Sequence, residues 1–155
     1  MKTFAAAAFA ALVLVSGTGA QAEDAGKKIV VKNRQMIVAI TSGKLEDEIV
    51  GRPAIIQKSN LAYIIGMTRS VHRACGVLSA TDSAALDRLD QAYRAEKVKD
   101  ELAAAMQVMV VSELDNGASD TAALLTRYDC QALQRFNLTG PLLAFWNKYL
   151  AVLKG

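Results

Sequence analysis

The only histidine of the chain, His72, lies three residues before Cys75, one of only two cysteines. Residues of these types could form a thiolate nucleophile with its base, part of a metal site, or a disulfide between Cys75 and Cys130. The spacing of three residues places His72 and Cys75 on one face of a helix. A catalytic thiolate must stay reduced, and no local signature of a cysteine enzyme surrounds the pair. We therefore predict a disulfide and no catalytic residues.

Metal or haem carriage is the alternative function for His72. Zinc takes three or four His, Cys or carboxylate ligands, whereas this chain has one His and two Cys and no CxxCH motif for covalent haem. A carrier would combine His72 with Met67, Met106 or Met109, because imidazole and thioether groups suit copper. Methionines are also typical of helical cores, so we expect neither a metal site nor a cofactor.

The first residues have the pattern of a secretory signal peptide. Lys2 precedes an apolar run from Phe4 to Val15, and Ala20-Gln21-Ala22 is a small-x-small cleavage site. The run is shorter than the roughly 20 residues of a membrane span, and no later apolar stretch is long enough for one. We predict a signal peptide over residues 1–22 and a single helical domain over residues 23–155, periplasmic or secreted, with no transmembrane segment after signal removal.

Export favours the disulfide. Two cysteines in one small domain usually pair in an oxidising compartment. A bond between Cys75 and Cys130 closes a loop of about 55 residues, and the chain-entropy model gives such a loop roughly 4 kcal/mol of stabilisation. Two free, buried thiols are the alternative.

Charge is unevenly distributed along the chain. Residues 27–73 hold nine bases and three acids, and residues 82–129 hold five bases and ten acids. The asymmetry can steer an oppositely charged partner, or it can reflect the solvated faces of different helices, which we favour. Lys and Arg do not cluster among aromatic residues, so nucleic-acid binding is not expected.

The first half of the predicted domain contains one clear helix. Pro53 suits the first position of a helix, and Gly76 suits the cap that ends it after Cys75. His72 falls within the apolar stripe of this helix, so we expect partial burial and a hydrogen bond that selects one tautomer. The preceding segment, residues 29–42, is ambiguous between strand and helix, and we favour helix.

Apolar residues at helical spacing form a second repeat, the second apolar period, which predicts a long helix. The helix begins after an N-cap at Thr81 or Asp82 and ends at the turn-forming pair Asn116-Gly117. A helix of this length is open to a bend or break between Glu96 and Lys99. The residues of this period are Leu86, Leu89, Tyr93, Val98, Leu102, Met106, Met109 and Leu114.

The following helix is predicted to begin at Ser119 or Asp120. On one continuous helix Cys130 would point away from the apolar face, so we predict a break at Tyr128-Asp129, with Asp129 capping a second short helix. The apolar face comprises Leu124, Leu125, Tyr128, Ala132 and Phe136. Together these elements predict a mainly α fold, a small bundle of about four to five helices joined by one disulfide.

The last helix, with Thr139 as its cap, is the most apolar element, and its apolar residues cover about half of its circumference. Such a face is typical of a core helix. The alternative is a partly exposed face with Trp146, Tyr149 and Leu153 as partner-binding residues, because Trp and Tyr are favoured interface anchors.

These observations predict a function in binding rather than in catalysis. The chain has no catalytic constellation and no glycine-rich phosphate loop, and it carries an export signal. We expect a small envelope protein that acts by protein–protein binding, as an inhibitor, an immunity factor, a chaperone or an assembly accessory, with a protein partner in the cell envelope.

Overall fold

A computed structural model describes residues 33–154 of the chain, and the side chains of residues 33–150. The described residues form seven helices and no strand. Residues 33–41 belong to α1, and the remaining helices are α2 (Leu45–Val50), α3 (Ala54–Cys75), α4 (Ala80–Ala95), α5 (Glu101–Leu125), α6 (Cys130–Arg135) and α7 (Thr139–Lys154). The predicted helical bundle with one disulfide is confirmed, and short helices raise the number of elements above the prediction.

The chain divides into two compact units, Met1–Gln35 and Met36–Gly155. Helices α2 to α7 belong to the second unit. The predicted signal peptide and residues 29–32 lie outside the described residues. From residue 33 onward, the segment that was ambiguous between strand and helix is helical.

Helix α3 is the central element of the second unit. Nine consecutive residues, 60–68, are buried, so this helix has neighbours on all sides rather than a single core face. Helices α2, α4 and α5 all pack against it. Gly76 ends α3 in the left-handed conformation, with φ of 61°, and donates its N–H to the carbonyl O of His72. The predicted glycine cap is therefore confirmed.

Helices α3 and α5 cross at two glycines. A Cβ atom added at Gly66 would overlap the carbonyl O of Leu114, and one added at Gly117 would overlap the carbonyl O of Tyr63. The two backbones therefore touch directly, which only residues without side chains permit. The closest helix pair of the bundle depends on this crossing.

Asn116-Gly117 does not end a helix, and that prediction was wrong. Gly117 is buried in the middle of α5, where the contact with α3 uses its missing side chain rather than its freedom to turn. Ser119 and Asp120 are likewise helical, not capping. The break expected near Glu96 is present, because α4 ends at Ala95 and α5 begins at Glu101.

The predicted starts of three helices are shifted by one or more positions. Pro53 is the N-cap of α3 rather than its first residue, and Thr139 is the first residue of α7 rather than its cap. Ser79, rather than Thr81 or Asp82, caps α4 by accepting the N–H of Asp82. Asp129 caps α6 by accepting the N–H of Ala132, as predicted. No helix of the described part of the chain has the length and apolarity that crossing a bilayer requires.

Candidate functional site

The disulfide joins the end of α3 to the beginning of α6. Cys75 is the last residue of α3 and Cys130 the first residue of α6, and their Cα atoms are 5.7 Å apart. The predicted pairing is confirmed. The bond ties the short α6, which has only six residues, to the central helix.

An exposed aromatic pair lies beside this disulfide. The rings of Tyr128 and Phe136 meet edge to face, with centroids 5.4 Å apart. Tyr128 is 40 % exposed and Phe136 is 57 % exposed. Both belong to the predicted apolar face, whereas the structure exposes them and buries Leu133. We call Tyr128 and Phe136 the aromatic knob.

Backbone hydrogen bonds and charged neighbours frame the aromatic knob. The N–H of Tyr128 donates to the carbonyl O of Leu124 at 3.1 Å, and the N–H of Phe136 donates to that of Ala132 at 2.9 Å. Arg127 and Arg135, each adjacent to one ring in sequence, are exposed. The knob is thus a pair of aromatic rings on a hydrogen-bonded backbone, each with an exposed arginine next to it in sequence.

Trp146, predicted as a possible partner contact, lies in the core. It is 1 % exposed, and its indole N–H donates to Thr68 Oγ1 at 2.6 Å. A partner could reach Trp146 only if α7 moved.

The other two residues predicted with Trp146 have different surroundings. Tyr149 is half-buried, stacks on Phe145 with centroids 5.7 Å apart, and has a pKa raised by burial. Leu153 lies in α7 beyond the residues whose side chains are described. Partner binding at Tyr149 and Leu153 stays a prediction.

His72 has a structural hydrogen bond. Its Nδ1 accepts the N–H of Leu78 at 3.0 Å, so the neutral ring carries its proton on Nε2. The partial burial and the selected tautomer expected from the sequence are both present. His72 also borders an open groove of about 310 Å³, whose other lining residues are Arg69, Arg73, Leu78, Ser83, Leu86 and Asp87.

The groove borders a network of ion pairs between helices. Arg69 contacts Asp87 and the buried Asp90, each at 2.8 Å. Arg94 joins Asp90 at 3.3 Å and Asp115 at 2.7 Å, and the bond to Asp115 is the main reason that the pKa of Arg94 is raised. Arg69 of α3 thus faces two acids of α4, so part of the uneven charge along the chain is neutralised within the fold.

The residues proposed for metal carriage have different exposures. Met67 is fully buried on α3, whereas Met109 is 59 % exposed on α5. Within residues 33–154, no three or more His, Cys, Asp or Glu side chains form a group that could hold a metal ion.

Helix α5 carries the two most exposed large apolar side chains of the described residues, and a third nearly as exposed. Leu102 is 73 % exposed, Val108 is 69 % exposed and Met109 is 59 % exposed. Sequence analysis assigned Leu102 and Met109 to the core period. Leu114, which belongs to the same predicted period, is buried as expected, and Val110, which was not part of it, is buried as well.

No protein-family model matches this chain, and neither a curated protein nor a solved structure matches it significantly. We therefore infer its function from the chemistry of its surface.

Proposed function

We propose that this protein is exported to the cell envelope and binds another protein there through the aromatic knob. The observation that carries the proposal is the exposed edge-to-face pair of Tyr128 and Phe136 beside the disulfide. Large aromatic side chains provide most of the binding free energy in many interfaces when they enter a pocket of the partner. Two such side chains in contact on the surface are suited to that role.

The local structure reduces the entropy cost of binding. Tyr128 and Phe136 flank α6, whose first residue is held by the disulfide to Cys75. An anchor that is ordered before binding loses less conformational entropy on association than a mobile one. Val50 on α2 is 62 % exposed but stands alone, and single apolar residues on a surface are ordinary. The aromatic knob differs because its two side chains are in contact and ordered.

The neighbouring charges indicate the chemistry of the partner. Arg127 and Arg135 are exposed and adjoin Tyr128 and Phe136 in sequence, and arginine is enriched in protein interfaces. We infer that the partner presents an apolar pocket bordered by carboxylates. Inhibitors, immunity factors, chaperones and assembly accessories all bind in this general way, and the proposal extends to that class as a whole.

Export supports the choice of compartment. The leader has the pattern of a signal peptide, and a disulfide between Cys75 and Cys130 is suited to an oxidising compartment. Intact mass of the protein purified from the envelope fraction should correspond to residues 23–155 with no reactive thiol. A protein found in the cytosol with its leader intact would contradict the proposal.

The binding test compares knob variants with a matched surface variant. Tagged protein is crosslinked gently in its own cells and captured from the envelope. Phe136→Ala and Tyr128→Ala should each reduce recovery of the same stoichiometric partner at least tenfold, a loss typical of an anchor residue, about 1.4 kcal/mol or more. Ile56→Ala, at a side chain 45 % exposed on α3, should leave recovery unchanged.

The purified partner then provides the decisive measurement. Titration calorimetry should give the same loss of affinity for Phe136→Ala, and circular dichroism should show that this variant is as helical as the parent. Equal binding by the parent, Phe136→Ala and Tyr128→Ala would reject the aromatic knob as the site. Tyr149→Ala in the same assay tests the residue that the sequence indicated.

A further inference from the structure

In its N-terminal half, α5 has an apolar side that is not covered by any described element. Leu102, Val108 and Met109 are the most exposed large apolar residues of this helix, and Ala105 between them is exposed as well. The opposite side of the same turns holds the buried Val110. A helix that is apolar on both sides is normally covered on both sides.

The accessible residues follow a seven-residue repeat along α5. Steps of three and four residues from Leu102 stay on one side of the helix, and each position reached is exposed or half-exposed. Such a repeat allows two helices to pack side by side over several turns. We call these residues the α5 outer face: Leu102, Ala105, Met109, Ser112, Asn116, Ser119 and Ala123.

We propose that the α5 outer face binds the same face of a second copy of this chain, with the two helices antiparallel. The large side chains, Leu102 and Met109, lie in the N-terminal half of the face, and the small ones, Ser112 and Ser119, lie in the C-terminal half. An antiparallel pair with twofold symmetry, in which every contact is made twice, sets each large residue against a small one. A parallel pair would set large against large and leave the small halves apart.

Charge selects one register of this pair. In this register Met109 lies opposite Ser112 of the second copy. Glu101 then lies beside Ala122 of the second copy, and the two Asp115 side chains are well separated. A slip of one repeat in one direction would bring Glu101 beside Asp115, and a slip in the other would bring the two Asp115 side chains together. Like charges at these positions disfavour both slipped registers.

The favoured register also brings opposite charges together at both ends of the pair. Lys97 and Lys99 are exposed just before α5 begins. In the antiparallel pair they approach the part of the other helix that carries Asp120. The arrangement therefore has an apolar middle and complementary ends, which favours antiparallel self-association.

The size of the contact predicts a weak dimer. About 20 residues of each helix overlap, which is about 30 Å of helix. One helix pair of this length buries less than the roughly 1,600 Å² of a standard interface. We expect a dissociation constant in the micromolar to near-millimolar range. The proposal does not depend on the aromatic knob, which lies on other residues.

Sedimentation equilibrium tests the dimer. The full chain, expressed with its own leader and purified as the cell delivers it, should pass from monomer to dimer between about 10 μM and about 1 mM. Met109→Glu should weaken association at least tenfold, because it places two carboxylates in the apolar middle. Val50→Glu, at an equally exposed apolar residue of α2, should associate as the parent does.

Either of two results would overturn the proposal. One is a parent protein that remains monomeric over the whole range. The other is a dimer that Met109→Glu does not weaken, since its interface would then lie elsewhere. Circular dichroism of Met109→Glu verifies the fold, and Ala105→Glu provides a second variant in the same face if Met109→Glu does not fold.

Crosslinking tests the register. A mixture of Met109→Cys and Ser112→Cys should give a covalent dimer with a short bismaleimide, because the native cysteines are held in a disulfide and do not react. The control mixture, Leu102→Cys with Ala105→Cys, places the thiols about 20 Å apart in the same register and should not crosslink. Efficient crosslinking of the control alone would reject this antiparallel arrangement.

Discussion

Two buried polar side chains of α3, Thr68 and Tyr63, are paired with specific partners on other helices. The hydroxyl of Thr68 accepts the indole N–H of Trp146 and donates to the carbonyl O of Ile64 at 2.7 Å. The phenol of Tyr63, which is 1 % exposed, donates to Asp120 at 2.8 Å. The bond between Thr68 and Trp146 and the bond between Tyr63 and Asp120 join helices that are distant in sequence. Each of these two bonds therefore contributes to tertiary structure rather than to helix formation.

Replacement of Thr68 by valine should destabilise the protein by about 2 kcal/mol. The two side chains have nearly the same shape, but valine leaves the buried indole N–H of Trp146 without its acceptor. Urea unfolding gives the change in free energy. Because Trp146 is the only tryptophan, its fluorescence also reports the loss of this bond directly.

The control for Thr68→Val is Thr126→Val, which removes an exposed hydroxyl at the end of α5. It should change the free energy of unfolding by no more than about 0.5 kcal/mol. A Thr68→Val variant as stable as Thr126→Val would show that the indole bond contributes little.

Stability should fall in alkaline solution, above about pH 10. Burial, followed by the bond to and charge of Asp120, raises the pKa of Tyr63, and burial also raises that of Tyr93. The unfolded chain releases these phenolic protons near pH 10, whereas the folded chain retains them. Rising pH therefore favours the unfolded state by up to about 1.4 kcal/mol per pH unit for each phenol.

Tyr63→Phe should flatten this alkaline loss of stability. The variant should lose about 1 kcal/mol near neutral pH, because one hydrogen bond is removed, and its stability should then fall less steeply above pH 10. Urea unfolding at several values between about pH 8 and pH 11 measures both effects. An unchanged alkaline slope would show that the phenol of Tyr63 does not ionise differently in the two states.

At the scale of the elements, the α3–α5 crossing determines how closely the bundle packs. Gly66 and Gly117 each face backbone atoms of the other helix. The interior of a helix is an unfavourable place for glycine, by roughly 1 kcal/mol relative to alanine. Both glycines are therefore explained by the close contact, which a larger residue would prevent.

Gly117→Ala should destabilise the protein by about 3 kcal/mol or more. The new methyl group would overlap the carbonyl O of Tyr63, and two backbones would have to separate to admit it. Thermal and urea unfolding followed by circular dichroism measure the loss. The natural control is Gly140→Ala in the first turn of α7, where a Cβ meets only Asn137 Oδ1 at 3.8 Å.

Gly140→Ala should be as stable as the parent or slightly more stable, because alanine favours the helix and nothing obstructs its methyl group. Similar effects of the two substitutions would contradict the close crossing, since helix propensity alone would then account for both.

At the scale of the whole molecule, the disulfide limits the unfolded chain more than it organises the folded one. The double variant Cys75→Ala, Cys130→Ala should lose about 4 kcal/mol, as the chain-entropy model gives for a loop of this length. Reducing agent should lower the stability of the parent toward that of the double variant and should not affect the double variant itself. A loss below about 1 kcal/mol would contradict this account.

Local sequence signals predicted the caps and breaks of several helices correctly. Gly76 and Asp129 act through their own conformation or side chain and the nearest backbone groups, so a few neighbouring residues are enough to identify them. The break between α4 and α5 was expected from the length of the apolar period rather than from a local signal. By contrast, Asn116-Gly117 carries the local signature of a turn, and the contact with α3 overrides it.

The sequence by itself determined the fold class and the disulfide of this protein. Helical periodicity and capping residues are local properties, and a chain with only two cysteines has only one intramolecular pairing. Tertiary structure alone decided which apolar residues face outward. Leu102, Met109 and Phe136 belong to the predicted apolar periods, yet the structure exposes them. Which apolar residues of a helix face the core is set by contacts with residues far along the chain, and so the candidate binding surfaces became visible only in the fold.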